Sequence, residues 1–265
     1  MLLTTSWDDG YELDLELAEV LEEYNCTGTF YVCPKKTKKA PKLTENDIYI
    51  LSKKHEIGAH GMTHSWLPSL PPVDIEREIV QSKQWVENIT GKECTMFCYP
   101  YGAHNEYARR YVKKAGFLGA RTVEILQFSA ENKFVMPTTL QIAPFPKRKE
   151  FKIWWHKLDT FGPLRTKMTR LFELHIPLRS MKSWLELAAA LLAHAIETKQ
   201  PFFHLWGHSD EIERYEMWEE LEKFLEFANI QEVKCVTNSE LVSSLNSEKQ
   251  RNASHSSESS TSQSP

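Results

Sequence analysis

Two short stretches of the sequence carry residue types that bind metals and move protons. SWDDG places Asp8 and Asp9 side by side, directly after an apolar run and before a glycine. HGMTH places His60 and His64 four residues apart. Adjacent carboxylates repel each other unless a positive group lies nearby. The pair therefore predicts a positive partner close to the end of the first strand.

Two neutral imidazoles and one carboxylate form a common ligand set for a catalytic divalent ion. Gly61 lies between the two histidines and disfavours a helix, so HGMTH is predicted as a strand end that turns into a loop. We expect His60, His64 and one of the two aspartates to hold the ion, while the other aspartate takes a proton from water. The predicted ion is zinc, and the same ligands accept cobalt, nickel or manganese.

Apolar, strand-like runs alternate with amphipathic stretches of helix length along most of the chain. Leu17 and Leu21 recur at helical spacing in the first such stretch, ELDLELAEVLEEYN. Thr44 and Asp47 form the capping pattern of a second helix, and Gly91 ends the longest one. Roughly seven β/α units in series predict an α/β fold, a distorted (β/α)7-type barrel of parallel strands with outer helices. A doubly wound open sheet is the alternative.

The ends of the predicted strands concentrate histidine, aspartate and glycine. These ends are SWDDG, GAHGMTH, CYPYGAH, GARTV and FHLWGHSDE. Catalytic residues of parallel barrels gather at the carboxyl ends of the strands, because the loops there share one rim. The pattern predicts that these segments meet at a single site.

Charge and hydropathy argue against several classes of partner. The 265 residues have a formal net charge of -4 and a pI near 6.2, which gives no reason to expect nucleic acid or an anionic membrane. No apolar run is long enough to span a bilayer, and the first residues lack the pattern of a signal peptide. We therefore expect a cytoplasmic location, and the oligomeric state stays open.

Residues 1–242 are predicted to form one folded domain. Residues 243–265 are rich in Ser, Glu, Asn and Gln and are predicted to form a disordered polar tail. The five cysteines, in a chain without a secretion signal, predict reduced thiols. Cys94 and Cys98 are expected to be packed core thiols, because positions four apart in a strand share one face.

SWDDG, HGMTH and the YPYG of FCYPYG, in this order, resemble the motifs of the NodB-homology polysaccharide deacetylases, which are carbohydrate esterase family four. FHLWGHSDE resembles the late strand that supplies the family's histidine acid. The resemblance extends from about Leu2 to Leu241. It implies a metal-dependent hydrolase of non-peptide carbon–nitrogen bonds, acting on an N-acetylated saccharide.

Four roles follow from the resemblance for the first two motifs. It implies that Asp8 is the catalytic base and that Asp9 is a metal ligand. His60 and His64 are implied to be the other protein ligands of the ion.

The later motifs are implied to stabilise the transition state and to complete the proton transfer. The backbone N–H of Tyr101 would help to hold the tetrahedral oxyanion. His208 would protonate the leaving amine, because it lies at the carboxyl end of its strand. His204, four residues earlier, is the competing choice.

The sequence departs from the family pattern at three places. Cys98 stands where many relatives carry an arginine that tethers the catalytic aspartate, and we hypothesise that Arg121 supplies this guanidinium from the next strand end. The alternative is that Arg121 is a surface or helix-capping residue. Gly61 replaces a small hydroxyl residue, with Thr63 close by. No fourth motif is evident, and Asp159 and Asp210 are the candidates to orient His208, although Asp210 is expected to be exposed.

Several aromatic side chains are candidates to line a substrate cleft, since indole faces stack on sugar rings. These are Trp154 and Trp155, which precede His156, and Trp66, which follows HGMTH. Core packing is the alternative for at least one of these tryptophans.

The leading prediction is removal of an N-acetyl group from an amino sugar or from a short or conjugated saccharide. The first alternative is an amidohydrolase of a small non-sugar amide or ureide, similar to the allantoinases. The second is a catalytically inactive barrel that binds carbohydrate, which the departure at Cys98 favours. The presence of both Asp8 and Asp9 argues against it, because a binding module needs no such pair.

Overall fold

The protein folds around one parallel β-sheet. The computed structural model describes residues 1–35, 40–146 and 162–247. The strands are β1 (Leu2–Asp9), β2 (Gly28–Val32), β3 (Glu56–Ala59), β4 (Met96–Cys98), β5 (Gly119–Arg121), β6 (Leu140–Gln141), β7 (Phe202–Gly207) and β8 (Lys234–Val236). They lie in the order β5–β4–β3–β2–β1–β7–β6, and β8 pairs with β1.

Helices connect the strands and cover the outer face of the sheet. They are α1 (Asp14–Glu23), α2 (Glu45–Leu51), α3 (Pro72–Thr90), α4 (Glu106–Lys114), α5 (Met168–Glu173), α6 (Trp184–Glu197), α7 (Ser209–Arg214) and α8 (Trp218–Ile230). The predicted caps are confirmed: Thr44 and Asp47 form a capping box on α2, and Gly91 ends α3 with a φ of 67°.

Residues 132–141 join the two ends of the sheet. Met136 forms a parallel bridge with Arg121 of β5, and the Thr139 N–H donates to the His204 carbonyl of β7 over 2.9 Å. One segment thus hydrogen-bonds to both outer parts of the sheet, which curls it. The prediction of a distorted (β/α)7-type barrel is confirmed, and the alternative of a doubly wound open sheet is wrong.

Alternation along each strand separates two environments. One face carries large apolar side chains that pack against the helices, among them Trp7, Phe30 and Phe203. The other face points into the barrel and carries many polar groups, all buried: Thr4, Ser6, Asp8, Thr29 and His204. Hydrogen bonds between strands satisfy several of these interior groups, as buried polar groups require. The barrel interior is therefore a polar network that leads up to the rim.

The cysteines differ in part from the prediction. Cys26 and Cys235 form a disulfide, with their Cα atoms 5.1 Å apart, so the prediction that all thiols are reduced is wrong. These residues are 209 positions apart, and the pairing of β1 with both β8 and β2 brings them together. Cys94 and Cys98 are free and buried, which confirms that they are core thiols. Disulfides persist in oxidising compartments, and the cytoplasmic location stays a prediction.

The predicted boundary between domain and tail falls inside a helix. Residues 238–247 are helical, and Leu241 and Val242 are buried against the barrel. The rest of the predicted polar tail, residues 248–265, lies outside the described residues. Within the described part of the chain, every helix is too short or too polar to cross a bilayer.

Candidate active site

The rim at the carboxyl ends of the strands gathers the residues that the motifs predicted. Asp9 ends β1, His60 directly follows β3, and His208 directly follows β7. These residues, together with Asp8 and Tyr101, line one cavity of about 540 Å³. A cavity of this size is typical of a small-molecule site. The expectation that the strand-end motifs meet at a single place therefore holds in the structure.

Asp9 adopts an unusual backbone conformation at the end of β1. Its φ is 81°, in the left-handed region that non-glycine residues seldom adopt. The Tyr11 hydroxyl donates to Asp9 Oδ2 over 3.0 Å, and the Lys42 ammonium donates to the Asp9 carbonyl. Lys42 also lies 3.9 Å from the centre of the Tyr11 ring. The two neighbours fix the carboxylate so that Oδ1 faces the histidines. Strained backbone of this kind clusters at functional sites.

The two histidines approach Asp9 Oδ1 from the β3 end. The distance to Oδ1 is 3.2 Å from His64 Nε2 and 3.6 Å from His60 Nε2. His60 Nδ1 lies 2.8 Å from the Cys98 carbonyl, to which it must donate, because a carbonyl only accepts. Burial lowers the pKa of His60 to about 4, so its ring is neutral at pH 7 and Nε2 carries a lone pair.

This arrangement fits a divalent cation. The ligand atoms of Asp9, His60 and His64 lie within 4.8 Å of one another. Asp9 Oδ1 is buried, and no described residue donates a hydrogen bond to it. The Nε2 lone pair of His60 faces this carboxylate oxygen, and a positive ion between the two would stabilise them.

A second group of possible ligands, Asp8, His60 and Cys98, fits a cation less well. Burial raises the pKa of the Cys98 thiol well above its usual range, so the thiolate that binds metals is disfavoured. Asp8 is also paired with the Arg121 guanidinium. The Asp9 group is therefore the better candidate metal site.

Asp8 is buried inside the barrel and paired with Arg121. Arg121 Nη2 donates to Asp8 Oδ1, and both side chains are almost inaccessible to solvent. Burial alone would raise the pKa of Asp8, but the Arg121 guanidinium outweighs it and holds the pKa below its usual range. Two ring faces enclose the guanidinium, with Tyr31 at 5.2 Å and Trp206 at 5.0 Å. The alternative of a surface or helix-capping arginine is excluded.

The sheet register explains why the charge comes from position 121. Cys98 of β4 and Arg121 of β5 are direct partners across adjacent strands, so their side chains share one face. The Cys98 thiol lies 3.7 Å from Asp8 Oδ2. An arginine at either position thus reaches the same carboxylate.

The two candidate acids lie in different environments. His204 is completely buried, and its Nε2 lies 2.8 Å from the Ser6 hydroxyl. Burial and the charge of Arg121 lower the pKa of His204 to about 3, so it stays neutral and away from the cavity. His208 lines the cavity instead. Burial alone would lower its pKa, but a hydrogen bond with Glu211 and the charge of Asp8 raise it to about 9.

Glu211 is the partner of His208 that sequence reasoning missed. Its Oε2 lies 3.1 Å from His208 Nδ1, which orients the ring and leaves Nε2 for the cavity. The sequence did contain a signal for this pair, because Glu211 follows His208 by three residues at the start of α7. Asp210, expected to be exposed, is buried and pairs with Arg214 over 2.6 Å. Asp159 lies outside the described residues.

Tyr101 occupies a tight turn that directs its backbone towards the rim. Its φ is 59°, and the next residue, Gly102, has a φ of 68°. A Cβ at Gly102 would lie 2.8 Å from the Val123 nitrogen, so only glycine fits. The Tyr101 ring packs edge-on against His64, with ring centres 4.6 Å apart. Trp66 follows, with its ring centre 5.8 Å from that of Tyr101. The candidates Trp154, Trp155 and His156 lie outside the described residues.

Comparison with known proteins matches part of the chain to one family. The family model described as polysaccharide deacetylase matches residues 2–120, a little less than half of the chain. The resemblance to the NodB-homology deacetylases is thereby confirmed. The matched region contains Asp8, Asp9, His60, His64 and Tyr101.

Relatives and solved structures extend the comparison. The chain is 35% identical over 115 residues to chitin deacetylase 1 of Saccharomyces cerevisiae, covering 43% of this chain and 36% of that protein. It is 29% identical over 115 residues to the peptidoglycan-N-acetylmuramic acid deacetylase PdaA of Bacillus subtilis, covering 42% of this chain and 43% of that protein. The aligned part thus spans less than half of the length of each.

The fold is shared over more of the chain. The Xyl-CE4 domain of a multidomain xylanase, from the hindgut metagenome of Trinervitermes trinervoides, superposes with a TM-score of 0.55 at 14% identity. The superposition covers 92% of this chain and 91% of that domain. At this identity the likeness concerns the fold alone.

Proposed function

We propose that this chain is a metal-dependent hydrolase that removes N-acetyl groups from amino-sugar residues of a saccharide. The observation that carries the proposal is the juxtaposition of two carboxylates in different environments. Asp9 faces His60 and His64, whereas Asp8 is paired with Arg121 inside the barrel. Carboxylates held in different environments at one site can take different chemical roles.

Asp9, His60 and His64 would hold the ion, with zinc as the first candidate and cobalt, nickel or manganese as the others. When bound, a divalent ion polarises the acetyl carbonyl and lowers the pKa of a water molecule. The Cys98 carbonyl and Tyr11 orient two of these ligands, as partners of metal ligands commonly do.

Three further groups would move protons and stabilise charge. Asp8, kept ionised by Arg121, accepts a proton from the attacking water. The Tyr101 backbone N–H donates to the oxygen that gains negative charge in the tetrahedral transition state. His208, with Nδ1 on Glu211, donates the proton on Nε2 to the leaving amine. With a pKa of about 9, it is protonated at neutral pH.

Two exposed aromatic rings support a saccharide as the substrate over a small amide. Trp66 is 52% exposed and Tyr101 is 56% exposed, although both are large and apolar. Tyr101 packs against His64 and lines the cavity, and Trp66 packs against the Tyr101 ring, so a sugar next to the acetylated one could lie on these rings. Exposed apolar patches of this kind commonly mark binding sites. Trp66 is not among the residues that line the cavity, so a small ureide held inside it would leave that ring unused.

A substrate screen tests the proposal. Acetylated chitotriose, N-acetylglucosamine and a ureide are each incubated with the protein loaded with zinc, cobalt, nickel or manganese, and released acetate and consumed ureide are measured. We expect acetate from the oligosaccharide, abolished in Asp8→Asn. Ureide consumption without acetate would support the allantoinase-like alternative. Saccharide binding without any product would support the inactive barrel.

A further inference from the structure

The loop between β3 and α3 carries both a candidate metal ligand and an exposed aromatic ring. Within it, Gly61 has a φ of 73° and His64 has a φ of 50°. A non-glycine residue in this region costs conformational energy and persists only where surrounding contacts fix it. The contacts that hold the His64 backbone are therefore part of the site.

Those contacts come from one carboxylate on α3. Glu78 is only 7% exposed and accepts three hydrogen bonds from the loop. Its Oε2 accepts from the backbone N–H groups of Met62, at 2.8 Å, and Thr63, at 2.9 Å. Its Oε1 accepts from the Thr63 hydroxyl at 2.7 Å. That hydroxyl also lies 2.6 Å from the Ser65 hydroxyl, on the other side of His64. These hydrogen bonds therefore fix the chain on both sides of His64.

The same carboxylate explains the departure at Gly61. A Cβ at this position would lie 3.1 Å from Glu78 Oε2, and the φ of 73° disfavours any side chain. The carboxylate occupies the space that a hydroxyl residue at position 61 would need. Thr63 provides the hydroxyl from two residues further on.

We propose that Glu78 is a positioning residue, which holds the His64 imidazole towards Asp9 by fixing the backbone of Met62 and Thr63. The proposal depends on the metal site proposed above. Glu78 touches neither Asp9 nor the candidate acid, so it acts through the loop alone. Removing the carboxylate frees two N–H groups and a hydroxyl at once, and the loop then relaxes from its strained conformation.

Zinc affinity is the measurement that separates positioning from a merely structural role. Purified variants compete with a chromogenic chelator for zinc at 25 °C, while circular dichroism confirms that each is folded. We expect Glu78→Ala to weaken zinc binding by about 10- to 100-fold, as loss of a ligand's partner commonly does. Glu76→Ala is the matched control, because Glu76 pairs with Lys114 at the surface of the same helix. It should bind zinc like the wild type.

Glu78→Gln tests whether the hydrogen-bond pattern matters. The amide oxygen accepts from both N–H groups, and the amide nitrogen donates to the Thr63 hydroxyl, so zinc affinity should stay within about threefold of wild type. Thr63→Val removes one of the three hydrogen bonds and serves if Glu78→Ala does not fold. It should weaken zinc binding severalfold.

Wild-type zinc affinity in Glu78→Ala, or in Thr63→Val where the alanine variant does not fold, overturns the proposal. So does a Glu78→Gln variant that binds zinc as weakly as Glu78→Ala. A wild-type protein that binds zinc but releases no acetate contradicts the proposed function instead and leaves the role of Glu78 intact.

Discussion

Replacement of Arg121 by alanine tests the link between the barrel interior and the chemistry. Arg121 is the positive partner of Asp8, and both side chains are sealed from solvent. In Arg121→Ala the carboxylate stays buried next to a neutral thiol, Cys98, without the guanidinium that pairs with it. Burial, which disfavours the charged form, is then opposed by fewer charges, so the pKa of Asp8 rises relative to the wild type. The base is therefore less available at neutral pH.

The expected effects are large because the pair is buried. Removing one partner of a buried ion pair commonly costs about 3–5 kcal/mol of unfolding free energy. A Coulomb energy of about 4 kcal/mol for charges 4 Å apart, at an effective dielectric constant of about 20, is of the same size. A general base contributes about 10²- to 10⁴-fold to rate, so kcat/KM at pH 7 should fall by at least about 100-fold.

The assay combines urea unfolding with acetate release at 25 °C. Arg110→Ala, on the exposed face of α4, is the control and should change neither quantity. The register predicts a rescue: Cys98→Arg combined with Arg121→Ala returns a guanidinium to the same face and should recover at least tenfold in kcat/KM. Wild-type kcat/KM in a folded Arg121→Ala protein would refute the reasoning.

Three further predictions concern residues around the cavity. Burial raises the pKa of Asp14 to about 7, so between about pH 4 and pH 7 the native state holds a proton that the unfolded chain has lost. The free energy of unfolding should therefore fall by up to about 4 kcal/mol as the pH rises from 4 to 7. Urea unfolding of Asp14→Asn at pH 5 and pH 8 should lack this fall. In Glu211→Gln the pKa of His208 decreases, because the carboxylate raises it, so the basic limb of the kcat/KM profile should move to lower pH; an unchanged limb would count against this partner. Trp66→Ala should raise KM for acetylated chitotriose about tenfold and leave a small aryl acetate unaffected, whereas Tyr49→Ala, at an exposed tyrosine outside the cavity, should change neither.

Much of the fold was predictable from the sequence because its signals are local. Alternation of apolar runs with amphipathic stretches gave the parallel barrel, and the caps at Thr44 and Gly91 marked helix ends correctly. The disulfide between Cys26 and Cys235 was not predictable. It depends on β1 pairing with β2 on one side and with β8, from the other end of the chain, on the other.

The site was predictable where residues follow strands directly. Asp9, His60 and His64 lie at strand ends or in the loop beyond, so the order of strands was enough to bring them together. Glu78 and Glu211 lie in helices, where acidic residues are common and most face solvent. Only the three-dimensional packing separates these two carboxylates from the others.

The central claim is that one carboxylate binds the ion while its neighbour moves the proton. The most direct test is to measure zinc content and acetate release on the same samples of the wild type, Asp8→Asn and Asp9→Ala. We predict one zinc per chain and acetate release for the wild type. Asp8→Asn should retain zinc without releasing acetate, and Asp9→Ala should lose both. An Asp9→Ala protein that keeps stoichiometric zinc, or an Asp8→Asn protein that loses it, would contradict this division of roles.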